Sequence, residues 1–323
     1  MIDVQDLVKS YDGRRVLDGL SFRVAPGRVT AFLGPNGAGK STTLRMITGL
    51  GVPDSGTARV LGVPYRELRD PLRSVGVLLD AAAVHPARSP RAHLAWLART
   101  HRIPRERVDH VLGLVGLAAA ARRPVRGFSL GMRQRLGIAA ALLGDPEVLL
   151  LDEPANGLDP EGIRWFRNLL RALADEGRTV LVSSHLMTEM AVTADHVLVI
   201  GRGRVLADGR MDEVLGGAGA GSVRLSSPRL AELSRVLRAA GGQVSDVPDG
   251  AGTAIVTGLA ADRIGDLAAD SGWSIHELTP LRPSLEDVYH RLTEDVTEYR
   301  AATDRLRTPA QEEKTPEETP AHA

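Results

Sequence analysis

The sequence has no cysteine, which excludes disulfides and thiolate metal sites; a reducing compartment is compatible with that absence but not required by it. It also lacks any apolar run approaching the roughly 18 to 20 residues that a membrane-spanning helix needs. The densest stretches, Val148 to Leu151 and Val197 to Ile200, are short enough to be buried strands. The chain is therefore not expected to cross a bilayer by itself. No charged and then apolar leader opens it, since Ile2, Val4 and Leu7 already alternate as in a strand, and a cytosolic location follows as an expectation. Charge of one sign is missing too: 40 basic residues stand against 40 acidic ones, so no global field argues for nucleic acid or an acidic membrane surface. Lysine is scarce, occurring only at Lys9, Lys40 and Lys314, while arginine supplies the other positive charges. A lysine at position 40 is then not expected to be filler. What is present is 323 residues with 43% hydrophobic content, enough for one large domain and one small one.

Short apolar strands alternate with helical patterns from Ile2 to about Leu215, which predicts an α/β domain with a largely parallel sheet, more β-rich at its start. Strands are expected at Ile2–Val8, Leu20–Val24, Val29–Leu33, Thr57–Leu61, Val75–Leu79, Val148–Asp152, Thr179–Ser183, His196–Ile200 and Arg204–Ala207. Asp159 followed by Pro160 is an N-cap with proline at the first helical position, opening a stretch with Ile163, Phe166, Leu169, Leu170 and Leu173 on one face. Residues Gly216 to Gly221, GGAGAG, form a flexible linker, so the division expected is 1–215, a linker at 216–221, and a small domain at 222–307. Its order, strand Val223–Leu225, helix Pro228–Ala239, strands Gln243–Val247 and Ala254–Val256, helix Ala261–Ala269 and strand Trp273–Leu278, suggests a split α+β sandwich of ferredoxin-like type. A further helix starts at Ser284 with apolar positions Leu285, Val288, Tyr289, Leu292 and Val296. Residues 308–323 are rich in Pro, Glu, Thr and Ala and should be disordered.

Two constellations carry chemistry. Gly34, Pro35, Asn36, Gly37, Ala38, Gly39, Lys40 and Ser41 read GPNGAGKS, directly after a strand and directly before the helical stretch Thr42 to Leu50, which is the context a P-loop requires. The glycines let successive N–H groups point at phosphate oxygens, and the helix N-terminus adds positive dipole. Lys40 would reach the β- and γ-phosphates and the Ser41 hydroxyl would ligate Mg²⁺. A plain glycine-rich strand-to-helix turn is the alternative, and the context and the scarcity of lysine tell against it. The second constellation is VLLLDEP, Val148 to Pro154, an apolar run ending in two acids. Neighbouring strand residues face opposite sides, so Asp152 and Glu153 are expected to divide the work, Asp152 holding Mg²⁺ through water and Glu153 orienting and deprotonating the attacking water. A solvated strand end is the bland alternative.

With these residues in place, positions 1 to 215 resemble the ATP-binding-cassette ATPases. Phe128 to Met132, FSLGM, continuing as Arg133, Gln134 and Arg135, stands where that family has its LSGGQ signature; alone, it would indicate an ordinary helix cap by Ser129. Leu130 and Met132 depart from the consensus, whereas Ser129 and Gly131 keep the hydroxyl and the close backbone approach. The resemblance implies a P-loop ATPase fold with a helical signature subdomain, in which this helix end faces the γ-phosphate of a partner subunit. It further implies that Tyr11 stacks on adenine, that Asn156 to Asp159 communicates across the dimer, and that His185 is a switch histidine contacting γ-phosphate, with Thr42 completing the phosphate-binding set. Where the family usually has a glutamine that helps ligate Mg²⁺, Asp80 stands here, shorter and charged, so altered coupling is expected. His85, His93 and His101 lack metal-ligand spacing and are expected at the surface.

The expectation is thus two copies closing head to tail around two Mg·ATP, bound at the cytoplasmic face of the membrane to a separate multi-spanning permease. Contacts to the permease are expected near Asp80 to Arg102. The stretches DAAAVHPARSPRAHL and PSLEDVYHRL resemble the subgroup serving antibiotic, peptide or lipid exporters. A regulatory or nucleic-acid-linked ATPase switch is the competing class, disfavoured by a single cassette, no long coiled coil and no basic stripe. A GTPase would want an Asn-Lys-x-Asp segment, which the sequence lacks.

Overall fold

The computed structural model describes residues 1–81, 83–216, 222–247, 252–281 and 284–293. The linker beyond Gly216, Val296 and the tail from 308 lie outside the described residues. The chain opens with strands β1 (Ile2–Tyr11) and β2 (Arg14–Val24), an antiparallel hairpin, and enters the main sheet with β3 (Arg28–Leu33). Helix α1 (Lys40–Ile47) follows, and β4 (Ser55–Val60) returns to pair antiparallel with β1, completing a three-stranded sheet β2-β1-β4. The short helix α2 (Pro71–Ser74) leads into β5 (Val75–Leu78), and helices α3 (Pro90–Thr100), α4 (Arg105–Leu114) and α5 (Leu130–Leu142) intervene before β6 (Val148–Asp152). Then come α6 (Pro160–Asp175), β7 (Thr179–Ser183), α7 (Met187–Thr193), β8 (His196–Gly201), β9 (Arg204–Arg210) and α8 (Met211–Gly216).

The six-stranded sheet runs β5-β6-β7-β3-β8-β9, parallel except for β9, which is antiparallel to β8. Its central strands read as unbroken apolar runs because both faces are covered. Successive residues go to different cores: Leu149, Leu151, Val180, Val182, Val197 and Val199 face the layer built from α3 to α7. Val148, Leu150, Leu181, Leu198 and Ile200 face the layer of α1 and the three-stranded sheet. That two-residue alternation fixes the register, and with it the ends of β3, β6 and β7 from which the site is built.

Beyond the main sheet lie β10 (Ser222–Ser226), α9 (Leu230–Ala239), β11 (Gln243–Asp246), β12 (Thr253–Thr257), α10 (Ala261–Asp270), β13 (Glu277–Leu281) and α11 (Leu285–Thr293). The strands form an antiparallel sheet in the order β11-β12-β10-β13, the split βαβ arrangement, over a separate apolar cluster that includes Leu225, Leu233, Leu237, Val256 and Ile264. The last strand lies later than the expected Trp273–Leu278. Trp273 and Ile275 pack against this cluster without ladder bonds, and the strand proper contains Pro280, tolerated because β13 is an edge. His93 corrects another expectation: it is buried, on the inner face of α3 beside Leu94, because that face also carries Pro90 and Ala98. His85 is exposed and His101 half-buried.

Candidate active site

Gly39 sits at the N-cap of α1 with φ 107°, a left-handed value that glycine adopts without strain, and there is no room for a side chain, since a Cβ there would lie 2.6 Å from the Leu17 side chain. The first turn of α1 has neither a side-chain cap nor an acidic residue. Its N–H groups and its positive dipole end are thus left for an external anion. Lys40 folds back over the loop, donating from Nζ to the carbonyls of Gly34 at 2.6 Å and Pro35 at 3.3 Å. Burial pushes its pKa below the ordinary lysine value, partly opposed by the carboxylates of Glu153 and Asp152.

In register with Ser183 of β7, Asp152 ends β6 and accepts two hydroxyl bonds. One comes from Ser41 at 2.7 Å, the other from Ser183 at 2.5 Å. The strand stops there. Glu153 takes a left-handed conformation with φ 47°, its N–H donating to Ser183 Oγ at 2.9 Å. The two acids are therefore separated by a backbone turn rather than by simple strand alternation. Glu153 Oε2 instead meets His185 Nδ1 at 2.7 Å and the His185 N–H at 3.4 Å.

A cavity of about 430 Å³ joins these groups. Its wall includes Pro35, Asn36, Gly37, Gly39, Lys40, Ser41 and Thr42 of the loop together with Asp80, Asp152 and Glu153. The oxygen donors Ser41, Asp152 and Asp80 in one wall fit a hard divalent cation. Gly34 contributes its carbonyl to Lys40, and Ala38 is buried behind the loop. His185 is linked to the cavity through Glu153. Ser129 and Gly131 lie outside the wall, at the start of α5: Ser129 Oγ accepts from the Met132 N–H at 3.2 Å, and the Gly131 Cα approaches the 155–158 loop so closely that a Cβ would lie 2.6 Å from the Gly157 carbonyl oxygen. Tyr11 is also outside, exposed in the β1–β2 hairpin with the Lys9 ammonium 5.3 Å from its ring centroid, while Val16 of the same hairpin reaches the wall.

Sequence reasoning overlooked Gln134, which lines the cavity, is buried, and donates from Nε2 to the Glu153 carbonyl at 3.2 Å. A signal was present: Gln134 is the polar member of a buried face continued by Gly137, Ile138 and Ala141.

An uncapped helix N-terminus behind a glycine-rich loop, a folded-back lysine, and a hydroxyl bonded to the carboxylate ending a neighbouring strand define a P-loop nucleoside triphosphatase. The family profile described as ABC transporter matches residues 17–156, and residues 221–286 match a domain of unknown function, DUF8746. The bacitracin transport ATP-binding protein BcrA of Bacillus licheniformis is 40% identical over 211 residues, spanning 64% of this chain and 69% of that protein. The daunorubicin/doxorubicin resistance ATP-binding protein DrrA of Streptomyces peucetius is 39% identical over 246 residues, spanning 74% of each chain. A solved ATP-binding subunit of an ABC transporter superposes with a TM-score of 0.62 at 27% identity, covering 67% of this chain and 92% of that one. The chain belongs to the ABC transporter ATP-binding proteins, and is an ATP-binding, ATP-hydrolysing subunit of that family.

Proposed function

We propose that two copies of the chain close head to tail around two Mg·ATP and drive export through a separate multi-spanning membrane subunit, with an antibiotic, drug, peptide or lipid as cargo. The observation that carries the catalytic part is the meeting of Ser41, bonded to Asp152, and Glu153, bonded to His185, on the lining of one cavity. The exporter reading draws on relatives whose names concern bacitracin and daunorubicin.

In each composite site Lys40 holds the β- and γ-phosphate oxygens together with the loop N–H groups of residues 36–42, and Tyr11 with Val16 meets the base. Ser41, Asp152 and Asp80 would hold Mg²⁺. The ion, when bound, supplies neutralisation of the triphosphate charge and orientation of its terminal oxygens. Glu153 takes the proton of the attacking water, and His185, bonded to its carboxylate, keeps that carboxylate aimed and reaches toward the γ-phosphate. Ser129 and Gly131 of the facing copy present the N-terminal end of α5, with its positive dipole end, to the same phosphate. Binding thus favours the closed pair and hydrolysis releases it, a two-state motion that a membrane subunit converts through its different affinity for the two states.

Among the described residues no helix is long and apolar enough to cross a membrane, so the cargo path is assigned to the other subunit. A groove of about 890 Å³ beside α3 and α4 supports a docking site at the cytoplasmic membrane face. It contains Trp96, 53% exposed, and Arg91, Arg99, Arg102, Arg105 and Arg122, a charge set that suits an acidic segment.

Glu153→Gln tests the reading. Removing the base should cut turnover by about 10² to 10⁴ while ATP stays bound and the chain migrates as a dimer in size-exclusion chromatography with Mg·ATP. Unaltered turnover would remove Glu153 from the mechanism, and a monomer under those conditions would remove the paired site. Copurification of the wild-type chain with a multi-spanning protein checks the transport half.

A further inference from the structure

Gln134 occupies a place that its burial alone does not explain. It lies on α5, whose first residues we assign to the facing copy's nucleotide, yet its amide nitrogen donates to the carbonyl of Glu153, the base of the chain's own site. That carbonyl already accepts a backbone bond from the Asn156 N–H at 3.3 Å. A side-chain donor is therefore not needed to satisfy it. The other end of the same residue is pinned as well, since the Glu153 N–H donates to Ser183 Oγ. Between these two anchors the backbone holds φ 47°, a left-handed conformation that a non-glycine residue keeps only when its surroundings over-determine it.

The second amide atom points to the same site. Gln134 Oε1 is buried without a hydrogen-bond partner, and the side chain lines the phosphate cavity. An apolar side chain of the same length would fill this position on α5, beside Gly137 and Ile138, without leaving an acceptor unmade. An amide there lowers stability relative to such a side chain and is expected where it serves the site instead.

We propose that Gln134 is a positioning residue: it ties the signature helix α5 to the strained turn at Glu153, so that a displacement of α5 on engaging the facing copy's nucleotide re-aims the base of its own site. The inference rests on the reading of Glu153 as the base. The helix that reads one nucleotide thereby sets the carboxylate that cleaves the other, and the two sites of a dimer fire in dependence on each other.

Gln134→Met keeps the length and removes the donor; Gln134→Glu keeps the shape and exchanges the NH₂ for a carboxyl that donates only when protonated. Both are made in the full chain, and thermal unfolding and ATP binding are measured beside turnover. The tie predicts that Q134M lowers kcat by about 10²-fold, the cost typical of a misplaced catalytic group, with KM for ATP near wild type and the melting temperature no lower than wild type. Q134E should show the same loss at pH 8, and its kcat relative to wild type should recover as the pH falls and the carboxyl regains its proton. In the Glu153→Gln background Q134M should cause no further loss, because the group it positions is gone. Wild-type kcat in Q134M and Q134E beside an inactive E153Q would overturn the tie alone. A Q134E-to-wild-type ratio independent of pH, or an equal fractional loss from Q134M with and without Glu153, would also overturn it. Wild-type turnover in E153Q would instead overturn the assignment of the base itself.

Discussion

Lys40 is half-buried, bonded only to carbonyl oxygens in the free protein, and held below the ordinary lysine pKa by desolvation. A triphosphate arriving in the cavity replaces neutral carbonyls by full negative charges, which raises that pKa. The sign is then set: above the lowered pKa of the free protein the lysine must take up a proton in order to bind, so ATP affinity falls as pH rises through that window. Calorimetric titration at alkaline pH below the ordinary lysine value, in two buffers of different protonation enthalpy, should register net proton uptake by the protein that grows as the pH rises. Its absence would mean that Lys40 stays fully charged without nucleotide. The grouping of Lys40, Ser41, Asp152 and Glu153 around one cavity was legible because each belongs to a motif with a fixed place at the C-terminal end of a strand. The way Glu153 leaves the strand was not: the left-handed turn depends on Ser183 and Gln134, 30 and 19 residues away in sequence. A partner that distant leaves no local pattern.

Between residue and molecule stands α5. Its first turn is fixed by the Ser129 cap and packs closely against Gly157, which sets the helix end directly on the 155–158 loop. Gly131→Ala would set a Cβ at 2.6 Å from the Gly157 carbonyl oxygen, a backbone atom that cannot swing aside as a side-chain tip does. The helix N-terminus should be displaced while the P-loop is untouched. Hydrolysis should then fall by about 10²-fold with ATP affinity retained, and stopped-time phosphate release measured beside equilibrium nucleotide binding separates the two. Parallel loss of binding would place Gly131 in the folding of the P-loop side instead. At this scale the sequence was most informative where burial is two-sided: β6 and β7 have the expected bounds, Val148–Asp152 and Thr179–Ser183, because continuous apolar runs ending in polar residues admit one reading. It was least informative at β13, where apolar Trp273 and Ile275 pack without joining a ladder and a proline-bearing edge strand does join one.

At the scale of the whole molecule, α11 relates the small sheet to the ATPase core. It comes after the edge strand β13, yet Leu285 and Tyr289 belong to the large apolar cluster of the main sheet and not to the cluster of β10–β13. The helix packs on α7 and α8. Ser284 starts it, its hydroxyl accepting from the Asp287 N–H at 3.1 Å while both its own N–H and its hydroxyl donate to the Asp287 carboxylate. Since α7 begins two residues after His185, α11 is linked through it to the residue bonded to the Glu153 carboxylate. Leu285→Ala should therefore act on the ATPase part, removing a side chain only 2% exposed at a cost of about 2 to 5 kcal/mol. Hydrogen exchange resolves where that cost falls. If α11 is part of the main core, amides of α7 and α8 lose protection in the variant and ATP restores part of it, because the nucleotide binds only the folded site. If protection is lost in β10–β13 alone, α11 serves the small sheet, and the mechanical path from the C-terminal part to His185 does not exist.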